Sequence, residues 1–138
     1  MNAAVATEVE LEVPFQDLDP MQVVWHGNYF RYFEEARAKL LRLIDYDYPQ
    51  MIASGYSWPI IDTRVRFAQP LVYAQRIVVR AELAEWENRL KIDYEIRDAA
   101  TGKRLTHGYT VQCAVDAKTG ELQLVTPATL HQRIRNHK

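Results

Sequence analysis

Hydrophobic and polar residues alternate along the chain with two different periods. Over residues 9–15 apolar side chains occupy every second position, with glutamates between them, and this predicts a half-buried strand. Over residues 28–44 the spacing becomes i, i+3, i+4, i+7, which predicts a long amphipathic helix with Asn28 as its N-cap, unless the helix begins one turn earlier. The apolar stripe of this helix comprises Tyr29, Tyr32, Phe33, Ala36, Leu40, Leu43 and Ile44.

The period of two returns after the helix. The alternating runs are residues 61–67, 77–83, 90–96 and 105–115, followed by a short run at 121–125. Turn residues separate these runs, and such short links join neighbouring strands antiparallel. Thr126 and Pro127 form an N-cap and first-position pair that predicts a short C-terminal helix.

This order of elements predicts an α+β protein. The apolar stripe of one long helix needs a sheet face to cover it, so we expect an antiparallel sheet of five to six strands wrapped around one central helix. The 138 residues are enough for one domain, 1–138, with a buried core. The edge strands of such a sheet offer pairing sites for a second subunit.

Composition narrows the class of protein. A net charge of −1 argues against a nucleic-acid-binding protein, and no apolar run is long enough for an integral membrane segment. The N-terminal residues lack the pattern of a signal peptide. A single cysteine, Cys113, cannot form an intrachain disulfide, so the cytoplasm is the expected location.

The segment with the most chemical information is residues 15–37, FQDLDPMQVVWHGNYFRYFEEAR. It places Asp17 and Asp19 just before the start of the helix. A carboxylate beside the free N–H groups of a helix N-terminus suits attack on a carbonyl carbon, because those donors can hold the developing oxyanion. From the residues alone, Asp19-Pro20 is more typical of an ordinary turn.

This segment resembles the signature region of the 4-hydroxybenzoyl-CoA thioesterase family, the hotdog-fold acyl-CoA thioesterases. The resemblance is ungapped and is carried by Phe15, Asp17, Asp19, Val24, Trp25-His26, Asn28-Tyr29 and Glu34-x-Ala36-Arg37. Trp58-Pro59, and Glu85-Trp86 followed by Arg89 and Lys91, also resemble family positions.

The resemblance implies a hotdog fold, a homodimer or homotetramer, no metal and no cofactor, since coenzyme A is part of the substrate. It implies that Asp19 is catalytic and that the backbone N–H of His26 binds the thioester carbonyl. Histidine at this position is similar to the bacterial branch that acts on short acyl-CoA or acyl-carrier-protein substrates. Met21-Gln22 replaces the small residue and glycine found in many members, which alters the loop and the width of the pocket.

Other residues have two interpretations each. The His26 side chain is either catalytic or a local hydrogen-bonding group, and Asp17 is interpreted as structural. Glu34 and Arg37 form either an ordinary intrahelical pair or a support for the Asp19 loop or a dimer interface. Substrate contacts are expected from Trp25, Tyr29, Trp58, Pro59, Arg89 and Lys91, with core packing the alternative for Tyr29 and Trp58. Arg64, Arg66, Arg89 and Lys91 either meet the phosphates of coenzyme A or are solvated.

Together these features predict an acyl-CoA thioesterase that hydrolyses an acyl-CoA thioester to a carboxylic acid and free coenzyme A. Asp19 is the expected nucleophile or general base, and the helix N-terminus near His26 is the expected oxyanion site. The alternatives are an acyl-carrier-protein thioesterase and a non-catalytic acyl-CoA-binding protein.

Overall fold

The computed structural model describes residues 5–137. Five long strands and one long helix form most of the chain, and two single-turn 3₁₀ helices, Phe15–Asp17 and His26–Asn28, precede the long helix. The strands are β1 Ala6–Glu12, β2 Tyr56–Ser57, β3 Ile60–Phe67, β4 Arg76–Glu85, β5 Leu90–Asp98, β6 Arg104–Gln112 and β7 Val115–Asp116. The helices are α1 Tyr29–Leu43, α2 Tyr48–Ala53 and α3 Ala128–Asn136.

The five long strands form one antiparallel sheet in the order β1-β4-β5-β6-β3, and β2 pairs separately with β7. Short hairpins join β4 to β5 and β5 to β6, as the turn residues predict. The predicted α+β architecture, an antiparallel sheet wrapped on a long central helix, is confirmed, with five strands in the sheet.

Helix α1 packs mainly on β1 and β4 and forms the core with the inner face of the sheet. Phe33 stacks on Tyr94 of β5 with ring centroids 4.4 Å apart and ring planes 8° apart. Each large apolar side chain buried in this way stabilises the fold by roughly 1.5–3 kcal/mol. The predicted stripe is correct except at Leu43, which is exposed; Leu41 is buried in its place. Leu41 is buried because α2, β2 and Trp58 add cover on that side of the helix.

Three predicted boundaries are wrong. The first strand ends at Glu12, and Phe15 lies exposed in a 3₁₀ turn, since Pro14 has no N–H to continue the ladder. Residues 121–125 form no strand, and only an isolated bridge joins Leu122 to Val115. Thr126 does not cap α3, because its hydroxyl donates to the carbonyl of Glu87 at 2.9 Å.

Helix α2 is absent from the sequence prediction, although its start carries a readable signal. Asp47 is the N-cap, and Gln50 completes a capping box by accepting from the Asp47 N–H at 3.0 Å. This arrangement satisfies N–H groups that a short helix leaves unpaired. Helix α2 covers the end of α1 near Met51 and so closes one side of a cavity described below.

Strand β3 is an edge of the sheet and is exposed at every position except Val65, which is half-buried. Because α1 lies nearer the opposite edge, it leaves the inner face of β3 largely uncovered. A β-bulge falls between Ile60 and Asp62. Within residues 5–137, none of the helices is long and apolar enough to cross a membrane.

Candidate active site

Asp19 lies in a tight turn between the first 3₁₀ helix and the start of the long helix. Its backbone N–H donates to the carbonyl of Val23 at 2.9 Å, and its own carbonyl accepts from Gln22 at 2.9 Å. The carboxylate accepts from the Met21 N–H at 2.8 Å. An isolated bridge between Leu18 and Val24 closes the turn. The backbone therefore fixes where the half-buried carboxylate of Asp19 lies.

Gln22 adopts a left-handed conformation in this turn, with φ of 65°. This is the position at which the sequence departs from the small residue and glycine of many relatives. A residue with a Cβ pays a steric cost in that conformation. The Met21-Gln22 departure therefore keeps the tight turn but introduces backbone strain beside Asp19.

Asp17 joins the turn to the helix. Its backbone carbonyl accepts from the Trp25 N–H at 3.0 Å and from the side-chain amide of Asn28 at 3.0 Å. Its carboxylate, on a side chain that is 5% exposed, accepts from the Tyr32 hydroxyl at 2.6 Å and pairs with Arg31. These contacts hold the segment that carries Asp19 against the first turn of α1.

The charges around Asp17 shift two pKa values in opposite directions. Burial acts to raise the pKa of Asp17, but hydrogen bonds from Arg31 and Tyr32 together outweigh burial and hold it below its ordinary value. Burial, with the neighbouring Asp17 carboxylate, raises the pKa of Tyr32. At neutral pH Asp17 is therefore an anion that accepts from a protonated tyrosine.

The helix begins with the 3₁₀ turn His26–Asn28, one turn earlier than Tyr29. The Asn28 side chain does not cap α1, which corrects the prediction, because that side chain is used on the Asp17 carbonyl. The N–H groups of His26 and Gly27 lie in this first turn, where helices lack internal acceptors. Such N–H groups can hold a developing oxyanion.

Aromatic rings surround the helix start. The Trp25 ring lies directly over Gly27, where an added Cβ would come within 2.3 Å of it. The ring centroids of Trp25 and His26 are 5.1 Å apart, and Phe67, at the end of β3, stands edge-on to Tyr29 at 4.7 Å. Tyr29 is buried, whereas half-exposed Trp25 is open to a ligand beside the oxyanion donors.

Trp58 and Pro59 lie far along the chain from this turn, in the link between β2 and β3. Trp58 is 8% exposed and packs edge-on against Tyr46 with centroids 6.0 Å apart. Its carbonyl accepts from the side chain of Gln112 at 2.7 Å, and Gln112 in turn accepts from Arg37 at 3.1 Å. Trp58 lines a cavity near the middle of α1, whereas Pro59 is exposed.

The predicted phosphate contacts are placed apart from the Asp19 turn. Arg89 precedes β5 and pairs with Glu85 at 3.1 Å. Lys91 lies over the ring of Tyr109 at 4.6 Å from its centroid. The pairing of Lys91 with Val111 puts it on the outer face of the sheet, opposite α1, while Arg64 and Arg66 lie on the same outer face.

Two residues with contacts near the site, Arg31 and Gln112, were not predicted from the sequence. Arg31 pairs with Asp17, and the sequence indicates this residue only by its position in the first helical turn. Gln112 is a buried amide whose partners, Arg37 and Trp58, lie in distant elements. No spacing rule connects residues 75 and 54 positions apart, so this contact became visible only with the fold.

The wrapped antiparallel sheet and its central helix are the hotdog fold. Residues 13–133 match the Thioesterase-like superfamily, and the chain belongs to that family. The predicted resemblance is thereby confirmed, and the chain is a thioester hydrolase.

Individual relatives are similar to this chain at modest identity. A candidate esterase from Synechocystis sp. is 25% identical over 128 residues, which cover 92% of this chain and 77% of that protein. A candidate acyl-CoA thioesterase from Bacillus subtilis is 29% identical over 77 residues, 56% of each chain. The solved structure of a 1,4-dihydroxy-2-naphthoyl-CoA thioesterase from Synechocystis has a TM-score of 0.83 at 20% identity and covers 95% of this chain and 96% of its own.

Proposed function

We propose that the protein hydrolyses acyl-CoA thioesters with Asp19 as nucleophile or general base and the backbone N–H of His26 as oxyanion donor. The observation that carries this proposal is the Asp17 link, in which the Trp25 N–H donates to the Asp17 carbonyl at 3.0 Å. It fastens the Asp19 turn to the helix start. A carboxylate and free helix N–H groups are thus held by the same short segment.

The reaction balances with these groups alone. In one route an Asp19 oxygen adds to the thioester carbonyl carbon, the C–S bond breaks, and water hydrolyses the resulting mixed anhydride. In the other, Asp19 takes a proton from a water molecule whose oxygen adds to the carbon. In both routes the N–H of His26 holds the oxyanion, and the thiolate leaves and takes up a proton. We propose no cofactor, since coenzyme A belongs to the substrate.

The test is thiol release by purified wild type and Asp19→Asn, which keeps the side-chain shape and removes the charge. We expect a loss of at least about 100-fold. Asp45→Asn, at an exposed aspartate just after α1 and outside the candidate site, is the matched control and should retain turnover. Near-wild-type turnover by Asp19→Asn would remove Asp19 from the mechanism. Tight acyl-CoA binding without thiol release by wild type would favour the non-catalytic alternative.

The predicted substrate contacts differ in how well their placement supports them. Half-exposed Trp25 lies beside the oxyanion donors and would contact the thioester end, whereas Tyr29 is buried and packs in the core. Arg89 and Lys91 lie apart from the Asp19 turn, so their proposed contacts with the phosphates of coenzyme A rest on the family resemblance alone. Some relatives act on aromatic acyl-CoA, as the naphthoyl-CoA thioesterase does, so the substrate screen includes aromatic, short and long acyl-CoAs.

An acyl-carrier protein is the second candidate for the group that carries the acyl chain. One recess on the outer face of the sheet is lined by four arginines and three carboxylates: Arg64, Arg66, Arg80, Arg104, Glu82, Asp93 and Glu95. Its small excess of positive charge would attract an acidic carrier protein. Faster release from an acyl-carrier protein than from the matching acyl-CoA, abolished by Arg64→Glu, would favour this alternative.

We also propose a homodimer, or a tetramer built from it, acting in the cytoplasm. Support for assembly comes from β3, whose backbone edge is unpaired in the described sheet and carries exposed Ile60 and Ile61. Exposed strand edges pair readily with another chain. The location rests on the lone cysteine, Cys113, which is unpaired, as is usual in a reducing compartment.

A further inference from the structure

The recess on the outer face of the five-stranded sheet has a volume of about 560 Å³, which is within the usual range for small-molecule sites. Its floor is formed by residues of β3, β4, β5 and β6, on the face opposite α1. Four arginines, three carboxylates and the rings of His107 and Tyr109 line it. The sign of the charge that a ligand meets there depends on which of these groups are already paired within the sheet.

Two of the three carboxylates already have an arginine partner. Glu82 pairs with Arg80 at 2.7 Å, and Glu95 pairs with Arg97 at 3.1 Å. Both pairs belong to β4 and β5, toward the middle of the sheet. Their charges are therefore balanced without a ligand.

The cations at the β3 side of the recess have no such partner. In the described part of the chain, residues 5–137, exposed Arg64, Arg66 and Arg104 form no ion pair with a carboxylate. Asp93, the third carboxylate of the recess, lies two strands away from Arg64, roughly 10 Å at the spacing of neighbouring strands. Arg104 is in register with Arg97, which is a second cation. Three arginine side chains are thus available to an anion.

The end of β3 connects this recess with the candidate active site. Phe67, the last residue of β3, is 46% exposed, and its ring lies edge-on to the ring of His26 with centroids 6.5 Å apart. Arg66 is the preceding residue, and neighbouring side chains of a strand point to opposite faces. A substrate bound at the His26 N–H reaches Arg66 by passing the exposed strand edge at Phe67. The proposed self-association involves the other end of β3, around Ile60 and Ile61.

The phosphate contacts that the family resemblance implies lie farther from the helix start. Lys91 is in register with Val111, and Val111 with Asp62. Asp62 precedes Arg66 by four residues, roughly 13 Å at the rise of a strand. Arg89 lies beyond Lys91 in the same direction, before β5 begins. Within one protomer, the arginines of the recess are therefore better placed than Arg89 and Lys91 to meet a substrate bound at the helix start.

We infer that the recess binds the phosphates of the coenzyme A part of the substrate through Arg64, Arg66 and Arg104. This inference rests on the proposed function. A guanidinium is planar and can donate two parallel hydrogen bonds to one phosphate, which suits these side chains to that role. The uncharged pantetheine arm crosses the strand edge at Phe67. A thioester of pantetheine alone, which has no phosphate, leaves the three arginines without their acceptor.

The experiment measures kcat/KM by thiol release for one acyl group on three carriers: coenzyme A, dephospho-coenzyme A, which lacks the 3′-phosphate, and pantetheine. We expect wild type to favour coenzyme A over pantetheine at least about 10-fold, mainly through KM, because hydrogen bonds to charged groups are strong. Arg66→Gln combined with Arg104→Gln should reduce that ratio several-fold by raising KM for the coenzyme A thioester. Arg76→Gln, at a 60% exposed arginine outside the recess, is the matched control and should keep the ratio.

A wild-type ratio near one overturns the inference, as does an unchanged ratio in the double variant. Loss of the ratio in Lys91→Gln but not in the double variant also overturns it, because the phosphates then lie at the family position. Should the double variant fail to fold, Arg66→Gln and Arg104→Gln are assayed singly, and unchanged ratios in both overturn the inference. Asp19→Asn is assayed in parallel, because thiol release that depends on Asp19 but is equal from all three carriers leaves the proposed function intact while this inference fails.

Discussion

The hydroxyl of Tyr32 donates to the buried carboxylate of Asp17 at 2.6 Å, and this contact joins the turn before the long helix to the helix itself. The same carboxylate pairs with Arg31, while the Asp17 carbonyl accepts from the Trp25 N–H. The first aspartate of the motif therefore positions the segment in which the second, Asp19, is proposed to act.

Tyr32→Phe should destabilise the protein by about 1–3 kcal/mol, because it leaves a buried carboxylate oxygen with one donor fewer. Urea denaturation measures the loss. The control is a double-mutant cycle with Asp17→Asn, in which the two changes should couple by roughly 0.5–3 kcal/mol. Purely additive effects would show that the 2.6 Å contact contributes nothing of its own.

Acid should weaken the fold through Asp17. The pKa of Asp17 lies below its ordinary value in the folded protein, so the unfolded chain binds a proton at Asp17 more readily. The stabilisation is fully present above the ordinary aspartate pKa of about 4 and is lost as pH falls through the lower folded pKa. Urea denaturation at a series of pH values from neutral into this acid range gives the free energy of unfolding. That free energy should fall more steeply with decreasing pH for wild type than for Asp17→Asn. Equal slopes for the two proteins would contradict the prediction.

Gln22→Gly should stabilise the turn that carries Asp19. Gln22 and Ala74 have φ of 65° and 62°, a conformation that costs an L-residue roughly 1–2 kcal/mol, and glycine adopts it without that cost. Glycine also increases the entropy of the unfolded chain, which offsets part of the gain. We therefore expect Gln22→Gly and Ala74→Gly each to raise the free energy of unfolding by up to about 1 kcal/mol. Thermal denaturation of each variant measures the change.

Asp45→Gly is the matched comparison for Gln22→Gly. Asp45 has φ of 55°, but its carboxylate pairs with Arg133 at 2.7 Å, and aspartate tolerates the left-handed region better than glutamine does. Glycine at this position should therefore give no gain in stability. A gain as large as that of Gln22→Gly would mean that the side-chain interactions of Asp45 are negligible.

Two glycines should respond differently to alanine. A Cβ at Gly27 would come within 2.3 Å of the exposed Trp25 ring, which can move away, whereas a Cβ at Gly108 would come within 2.3 Å of the backbone carbonyl of Arg64, which cannot. Gly108→Ala should thus cost more stability, about 1–3 kcal/mol as overpacking does. Gly27→Ala should mainly lower thiol release, because it displaces the ring beside the oxyanion donors. Equal stability losses would contradict this assignment.

The sequence was sufficient for the elements that repeat a short pattern. Residues 77–83 and 90–96 alternate strictly, and both are strands of the sheet. The helical stripe was correct except that Leu41 is buried in place of Leu43, because the cover over Leu41 comes from α2, a neighbouring element. Predictions failed where a side chain had two possible partners. Asn28 and Thr126 both look like caps, yet each bonds to a carbonyl from a distant part of the chain.

The candidate site also contains residues that the sequence predicts and residues that only the fold brings together. Asp19 and His26 lie seven positions apart in one segment, so the motif alone could indicate both. The polar chain from Arg37 through Gln112 to Trp58 spans α1, β6 and the link before β3, and it exists only because the sheet order places β6 beside β3. Local periodicity contains no information on that order.

The exposed edge of β3 should mediate self-association. Ile60 and Ile61 are 45% and 56% exposed at the start of this strand, and a lysine there blocks edge pairing by placing charge where a partner strand would lie. Ile61→Lys should shift sedimentation toward the monomer at a given concentration. Leu124→Lys, at an 82% exposed position outside the five-stranded sheet, is the matched control and should leave the distribution unchanged. If the dimer persists in Ile61→Lys but dissociates in Leu124→Lys, the interface is not at β3. The second subunit would then cover the C-terminal loop around Leu124.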